Sequence, residues 1–168
     1  MKKLLFFTVF VIILALILPV IRTLSISNKK NHSERIYSIR AVKDGFSVNY
    51  THSVNKGRVH DYYRILDSGQ LELYKTRFVS YGAGIPEPYE TEGAQFIVTD
   101  DGYIIENLHR RLPCLVMAVG VIAEHSLTIG DSEFFLKDFF KPQTSLVFEV
   151  KRLSIIKLIS KRSPIDGY

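Results

Sequence analysis

The residues with proton chemistry gather in one stretch. From Phe46 to Leu66 the chain reads F-S-V-N-Y-T-H-S-V, then N-K-G, then R-V-H-D-Y-Y-R-I-L, and it brings His52, His60 and Asp61 close together. An imidazole changes charge near neutral pH, and a neighbouring carboxylate orients it. His52-Ser53 looks like a hydrolase fragment, but adjacent residues on a strand point to opposite faces, so His52 cannot act as base for Ser53. The sequence has no G-x-S-x-G elbow.

What His52 meets depends on hairpin register. A two-residue loop at Lys56-Gly57 sets His52 against Asp61, Tyr50 against Tyr63 and Val48 against Ile65. A three-residue loop, Asn55-Lys56-Gly57, with a glycine bulge sets His52 against His60. The first gives a carboxylate-oriented imidazole; the second gives an imidazole pair of the kind that takes a metal. His125 is the third group either arrangement would need. The segment S-Y-G-A-G-I-P-E adds a loop in which Gly82 and Gly84 allow close backbone approach, with Glu87 at its end. It lacks the G-x-x-x-x-G-K-[ST] pattern of a phosphate cradle.

The candidate ligand or partner site is therefore His52, Asp61, Gly82, Gly84, Glu87 and His125. No catalytic set, metal site or cofactor is assigned, and the expectation is a protein that is not an enzyme. The alternatives are a metal-dependent or acid–base enzyme using His52, Asp61 and His125, and a purely structural envelope protein. The lone Cys114 excludes an internal disulfide and a zinc ribbon. It reads as a small buried hydrophobe.

The elements that position these residues read as short strands. Phe46, Val48, Tyr50 and His52 alternate with Ser47, Asn49, Thr51 and Ser53. Tyr37–Ala41, Val59–Leu66, Leu71–Val79, Ala94–Val98, Tyr103–Asn107, Ser126–Ile129, Phe134–Leu136 and Ser145–Leu153 behave similarly, separated by turns such as Asp44-Gly45, Asp67-Ser68-Gly69 and Asp100-Asp101-Gly102. Leu115–Ile122 reads as a strand buried on both faces, and Leu108–Pro113 as irregular. The pattern predicts an all-β fold, an antiparallel sandwich or small barrel of about nine short strands with no interior helix. The segment from Ser154 to Arg162 is either a basic amphipathic segment or a continuing strand or short packed helix.

The net charge of +5 does not point to nucleic acid. Eight of the 22 Lys and Arg lie outside residues 23–150, which leaves 14 there against 16 of the 17 acidic residues. A phosphate-binding body would carry its own basic face. Leu4–Ile21 is an uncharged apolar run behind Lys2 and Lys3, which predicts one transmembrane helix. The expected layout is a membrane anchor or signal segment over residues 1–27, a β-domain over 28–153 and a basic tail over 154–168. An uncleaved anchor with an extracytoplasmic body is favoured, although Ser25-Ile26-Ser27 supplies a small-x-small site for cleavage before Asn28.

Y-T-H-S-V at Tyr50–Val54, Asp61-Tyr62-Tyr63 and then S-Y-G-A-G-I-P at Ser80–Pro86 resemble a bacterial family of uncharacterised small membrane-linked proteins, a domain of unknown function. Ala123, Glu124, His125 and Leu127 fit the same pattern. Members of that family are often encoded beside TAXI-type TRAP solute transporters. The resemblance implies an accessory role in solute uptake, with the membrane and TRAP-type transporter subunits as partners. It carries over no catalytic residue.

Overall fold

The second sheet of this protein begins where the apolar N-terminal run ends. The computed structural model describes residues 2–32, 36–54, 56–80, 92–160 and 165. Helix α1 covers Lys2–Ile17. It stops there because Pro19 has no N–H to donate and disfavours helical geometry at Leu18. Strand β1 follows at Ile21–Asn28. Leu4–Ile21 is thus not one helix, and α1 is about 24 Å long at ~1.5 Å per residue. Among the described residues no helix is long and apolar enough to cross a membrane.

The chain then runs β2 (Ile36–Ser38), α2 (Arg40–Asp44), β3 (Phe46–Thr51), β4 (Arg58–Ile65), β5 (Leu71–Phe78), β6 (Gln95–Thr99), β7 (Gly102–Leu112), β8 (Leu115–Ala118), β9 (Ser126–Ile129), β10 (Ser132–Phe135), β11 (Ser145–Leu153) and α3 (Ile155–Ser160). Among the described residues, eleven strands form two antiparallel sheets, ordered β2-β1-β11-β8 and β10-β9-β3-β4-β5-β7-β6, and neither closes into a barrel. The all-β antiparallel expectation holds.

β1 is the strand that alternation understated. It pairs with β11 from Ile21↔Leu153 to Asn28↔Leu146, and with β2 at Leu24↔Ser38 through Ile26↔Ile36. Leu24 and Ile26 are fully buried. A boundary at residue 27 would cut this strand from its sheet, and cleavage before Asn28 would remove it.

Other local expectations also change. The stretch expected as a strand to Ala41 is β2 followed by α2, because Ser38 Oγ accepts the Ala41 N–H at 3.0 Å and turns the chain. Leu115–Ile122 is not a doubly buried strand. Only Leu115–Ala118 pairs, on an edge beside β11, and Val121 and Ile122 are exposed. Leu108–Pro113 is not irregular, since β7 runs through to Leu112. The segment after β11 forms the short helix α3, which lies against α1.

The core sits between the sheets. Phe46 stacks on Tyr63 of its own sheet at 5.2 Å and on Phe148 of the other at 6.2 Å. Leu24, Ile26, Leu146 and Phe148 meet Val48, Val59, Leu127 and Ile105 in one cluster. Two bulges, at Tyr62/Tyr63 between β4 and β5 and at Leu73/Lys75 between β5 and β7, shift which side chains point inward. Leu71 and Leu73 face the core before the bulge; Thr76 and Phe78 do so after it.

If β1 is part of this core, Leu24→Ala lowers stability by about 2–5 kcal/mol in urea denaturation. A loss below about 0.5 kcal/mol would mean that β1 is a peripheral attachment.

Candidate functional site

The hairpin adopts neither expected register. β3 and β4 pair Phe46↔Tyr63, Val48↔Asp61, Asn49↔His60, Tyr50↔Val59 and Thr51↔Arg58. His52 meets neither Asp61 nor His60. The ladder ends at Thr51 and Arg58, and the turn beyond it is closed by His52 N–H to Gly57 O at 2.8 Å and Lys56 N–H to His52 O at 3.1 Å, while Thr51 N–H donates to Ala123 O at 2.7 Å on the other edge of β3. The two-residue-loop register is displaced by four positions, an even number, so its assignment of faces survives. Tyr50, Asp61 and Tyr63 do share the inner face.

That face holds the chemistry. A cavity of about 310 Å³ is lined by Tyr50, Asp61, Tyr63, Thr76, Arg110 and Cys114, with Val59, Leu73, Leu112, Leu115 and Val116 as its apolar wall. Thr76, directly opposite Asp61 on β5, donates its hydroxyl to Asp61 Oδ1 at 2.7 Å. Burial pushes the Asp61 carboxyl above the ordinary carboxylate range, while hydrogen bonds from Thr76 and Tyr50 and the Arg110 charge act against it. Burial and the facing Asp61 push the Tyr50 hydroxyl up, and burial does the same for Tyr63. Both phenols remain O–H donors at neutral pH. Arg110 is exposed at the rim. Its side chain shares the cavity because the bulge turns it to the inner face, whereas Arg111 faces Glu72 on the other side.

Of the sequence-predicted residues, only Asp61 lines this cavity. Gly82, Gly84 and Glu87 lie outside the described residues. His52 lines a separate apolar cavity of about 260 Å³ with Thr51, Ser53, Lys56 and Gly120–Ala123. His125 touches both regions. Its ring stacks on Tyr50 at 5.7 Å, and its Nδ1 accepts the Gly120 N–H at 2.9 Å, which fixes the loop against His52. Burial and the Arg58 charge hold His125 below the usual imidazole range, as an acceptor requires. Among the described residues no group of three or more His, Cys, Asp or Glu is placed to hold a metal ion.

Tyr50, Tyr63, Thr76 and Arg110 were not singled out as site residues. The available signal was the alternation Val59, Asp61, Tyr63, Ile65, which sets one carboxylate on an apolar face. Cys114 is half-buried in the cavity wall rather than sealed in the core.

His60 belongs to a different network, on the outer face. Its Nδ1–H donates to Asn49 Oδ1 at 2.9 Å, Asn49 Nδ2 donates to Thr128 Oγ1 at 2.8 Å, and Arg58 pairs with Glu133 at 3.4 Å. Burial and then the Arg58 and Arg77 charges hold His60 below the usual imidazole range, against the opposing Glu133 charge. This network closes on itself and leaves the outer face a structural seam.

The arrangement is that of an antiparallel two-sheet protein with a small, half-polar cavity between strand faces, built around one enclosed carboxyl. Residues 46–136 match the family described as Domain of unknown function (DUF1850). The match covers just over half of the chain, and the chain belongs to that family. No curated protein and no solved structure is significantly similar to it.

Two outcomes follow from the titrating groups. His60 and His125 have folded-state pKa values below the unfolded value of about 6.5. The unfolded chain therefore binds more protons in this window. The stability they contribute is present above about pH 6.5 and is lost as pH falls through their lowered values. Urea midpoints across this range should rise with pH, and His125→Gln should flatten part of the rise; a flat wild-type profile would contradict the assignment. For Asp61 the sign reverses, because its raised pKa means that ionisation costs stability above the unfolded value of about 3.9. Asp61→Asn keeps an acceptor for Thr76 and should raise the urea midpoint at neutral pH, with the gain fading in acid. A lowered midpoint at neutral pH would show the carboxylate to be stabilising.

Proposed function

We propose that this protein is a solute-binding accessory domain, held at the membrane through its N-terminal segment with its β-body extracytoplasmic, working beside a TAXI-type TRAP transporter. The single observation that carries the binding role is the cavity around Asp61. It offers a carboxyl, two phenols and a cation on one side and an apolar wall on the other. Its size is at the small end for ligand pockets, which run from roughly 300 to 1,000 Å³. A small solute with one or two oxygen functions and a short carbon skeleton has the matching chemistry. The transporter association rests on the resemblance of the Tyr50–Val54 and Ser80–Pro86 segments. The membrane placement rests on the exposed apolar helix α1.

The test is thermal unfolding of the purified chain against a panel of short carboxylic acids, hydroxy acids and amino acids, followed by uptake assays in cells lacking the gene. One class of solute should raise Tm with concentration, as a ligand of the native state must. Arg110→Gln should weaken that effect by about 10- to 100-fold if it removes a charge-assisted hydrogen bond. No Tm shift across the panel, with uptake unchanged by deletion, would sink the proposal.

A further inference from the structure

We infer that the end of the fold where α1 and α3 meet is a docking surface for the headgroups of an anionic bilayer, an inference that rests on the proposed membrane placement. Beyond Lys2 and Lys3 at its start, α1 carries no charge on any side, and none of its residues is buried. Leu4 (71%), Phe6 (77%), Phe10 (55%) and Ile17 (57%) are all more than half exposed. A helix apolar all round is at home in an apolar medium. α3 lies against it and adds the exposed Ile156 and Ile159.

The charge at the root of this apolar foot is one-sided. Arg22 opens β1 directly opposite Arg152 on β11, and Lys157 lies on α3. Arg22 reaches the β4–β5 turn, donating to Leu66 O and pairing with Asp67 at 3.5 Å. One position further along the same strands is the row Arg64, Glu72, Arg111. Glu72 is 1% exposed, while the Arg64 and Arg111 side chains are 51% and 65% exposed. The guanidiniums therefore stand outside the carboxylate that anchors them. Burial alone would raise Glu72, but hydrogen bonds and charge from Arg64 and His109 hold it low, so it stays an anion that fixes them.

Among the described residues, five cations, Arg22, Arg64, Arg111, Arg152 and Lys157, thus stand against Asp67 and Glu72. The neighbouring α2 and β9–β10 turn add Arg40 and Lys43 against Asp44 and Asp131, which leaves the surplus unchanged. At the opposite end, Arg58 pairs with Glu133 and Arg77 with Asp101, and Lys56 is matched by Asp100 and Glu124. An apolar insert ringed by cations has the two signals that stable attachment to an anionic membrane surface requires.

The experiment is flotation of the full chain with vesicles of phosphatidylcholine alone and of phosphatidylcholine mixed equally with phosphatidylglycerol. Binding should be tighter to the mixed vesicles and should weaken with added salt. The double variant Arg152→Gln, Lys157→Gln should lose about five-fold in partitioning for each charge removed, on mixed vesicles only. Arg111→Gln, on a separate strand, should lose a similar factor. Equal binding to both vesicle types, or unchanged partitioning of the variants, would overturn the basic collar while leaving membrane association in place. Absence of binding to either vesicle would overturn the membrane placement itself. Self-association without vesicle binding would assign the apolar foot to a second copy of the chain and overturn the inference.

Discussion

The pairing of β1 with β11 is the constraint on which the rest of the architecture depends. It joins segments more than a hundred residues apart through eight facing pairs, from Ile21↔Leu153 to Asn28↔Leu146. The closure entropy of so long a loop rises only slowly with its length, so a buried ladder can offset it. Once the ladder forms, Leu24, Ile26, Leu146 and Phe148 lie over the inner face of the seven-stranded sheet. The family match begins at Phe46 and ends at Leu136, and it contains that whole sheet and β8 but not β1, β2 or β11. The hydrophobic face of the shared region is therefore covered in large part by strands from outside it, and Phe46 stacking on Phe148 is the contact that registers the two.

Between the sheets the core is incomplete around Asp61. A carboxyl on an apolar face costs desolvation, which Thr76, Tyr50 and Arg110 only partly relieve. Two bulges make this arrangement possible, bringing Thr76 inward opposite Asp61 and turning Arg110 to the same side. An apolar residue in that place would be favoured by its transfer energy alone, so the carboxyl is the feature on which the proposed binding role rests. Tyr50 occupies the pivotal position, with its ring against His125 and its hydroxyl facing Asp61, so the cavity and the Gly120–His125 loop share one side chain.

Much of the fold was legible because alternation is a local property. β3, β4, β5, β9 and β11 fall where period-2 patterning puts them, and Gly130 and Asp131 join β9 to β10. The errors arise where non-local partners decide. β1 was read as part of the anchor or signal segment, because it directly follows the apolar run and its Thr23, Ser25 and Ser27 are polar yet buried. The edge position of β8 depends on β11, some thirty residues downstream, through the pairs from Ser145↔Ala118 to Phe148↔Leu115, and nothing within Leu115–Ile122 encodes it. The site was half legible for the same reason. Asp61 stands out in sequence, and the faces followed from parity. The register did not, because the turn closes with His52 N–H on Gly57 O, which makes it longer than either glycine-turn pattern. Arg110 was hidden by a bulge, since simple alternation through Asn107 and His109, both at positive φ, assigns its face wrongly.

Only Leu18, Pro19 and Val20 separate the last turn of α1 from the first pair of β1. Leu18 still donates to Leu14 O and Val20 to Leu18 O, so even this link is hydrogen-bonded. α1 is consequently joined to β1 by a short, hydrogen-bonded link. Any tilt of the helix is delivered to a strand that is held on both sides, and through β11 to the wall that faces Phe46. The root of the N-terminal helix and the wall of the inter-sheet core are thereby contiguous along two paired strands.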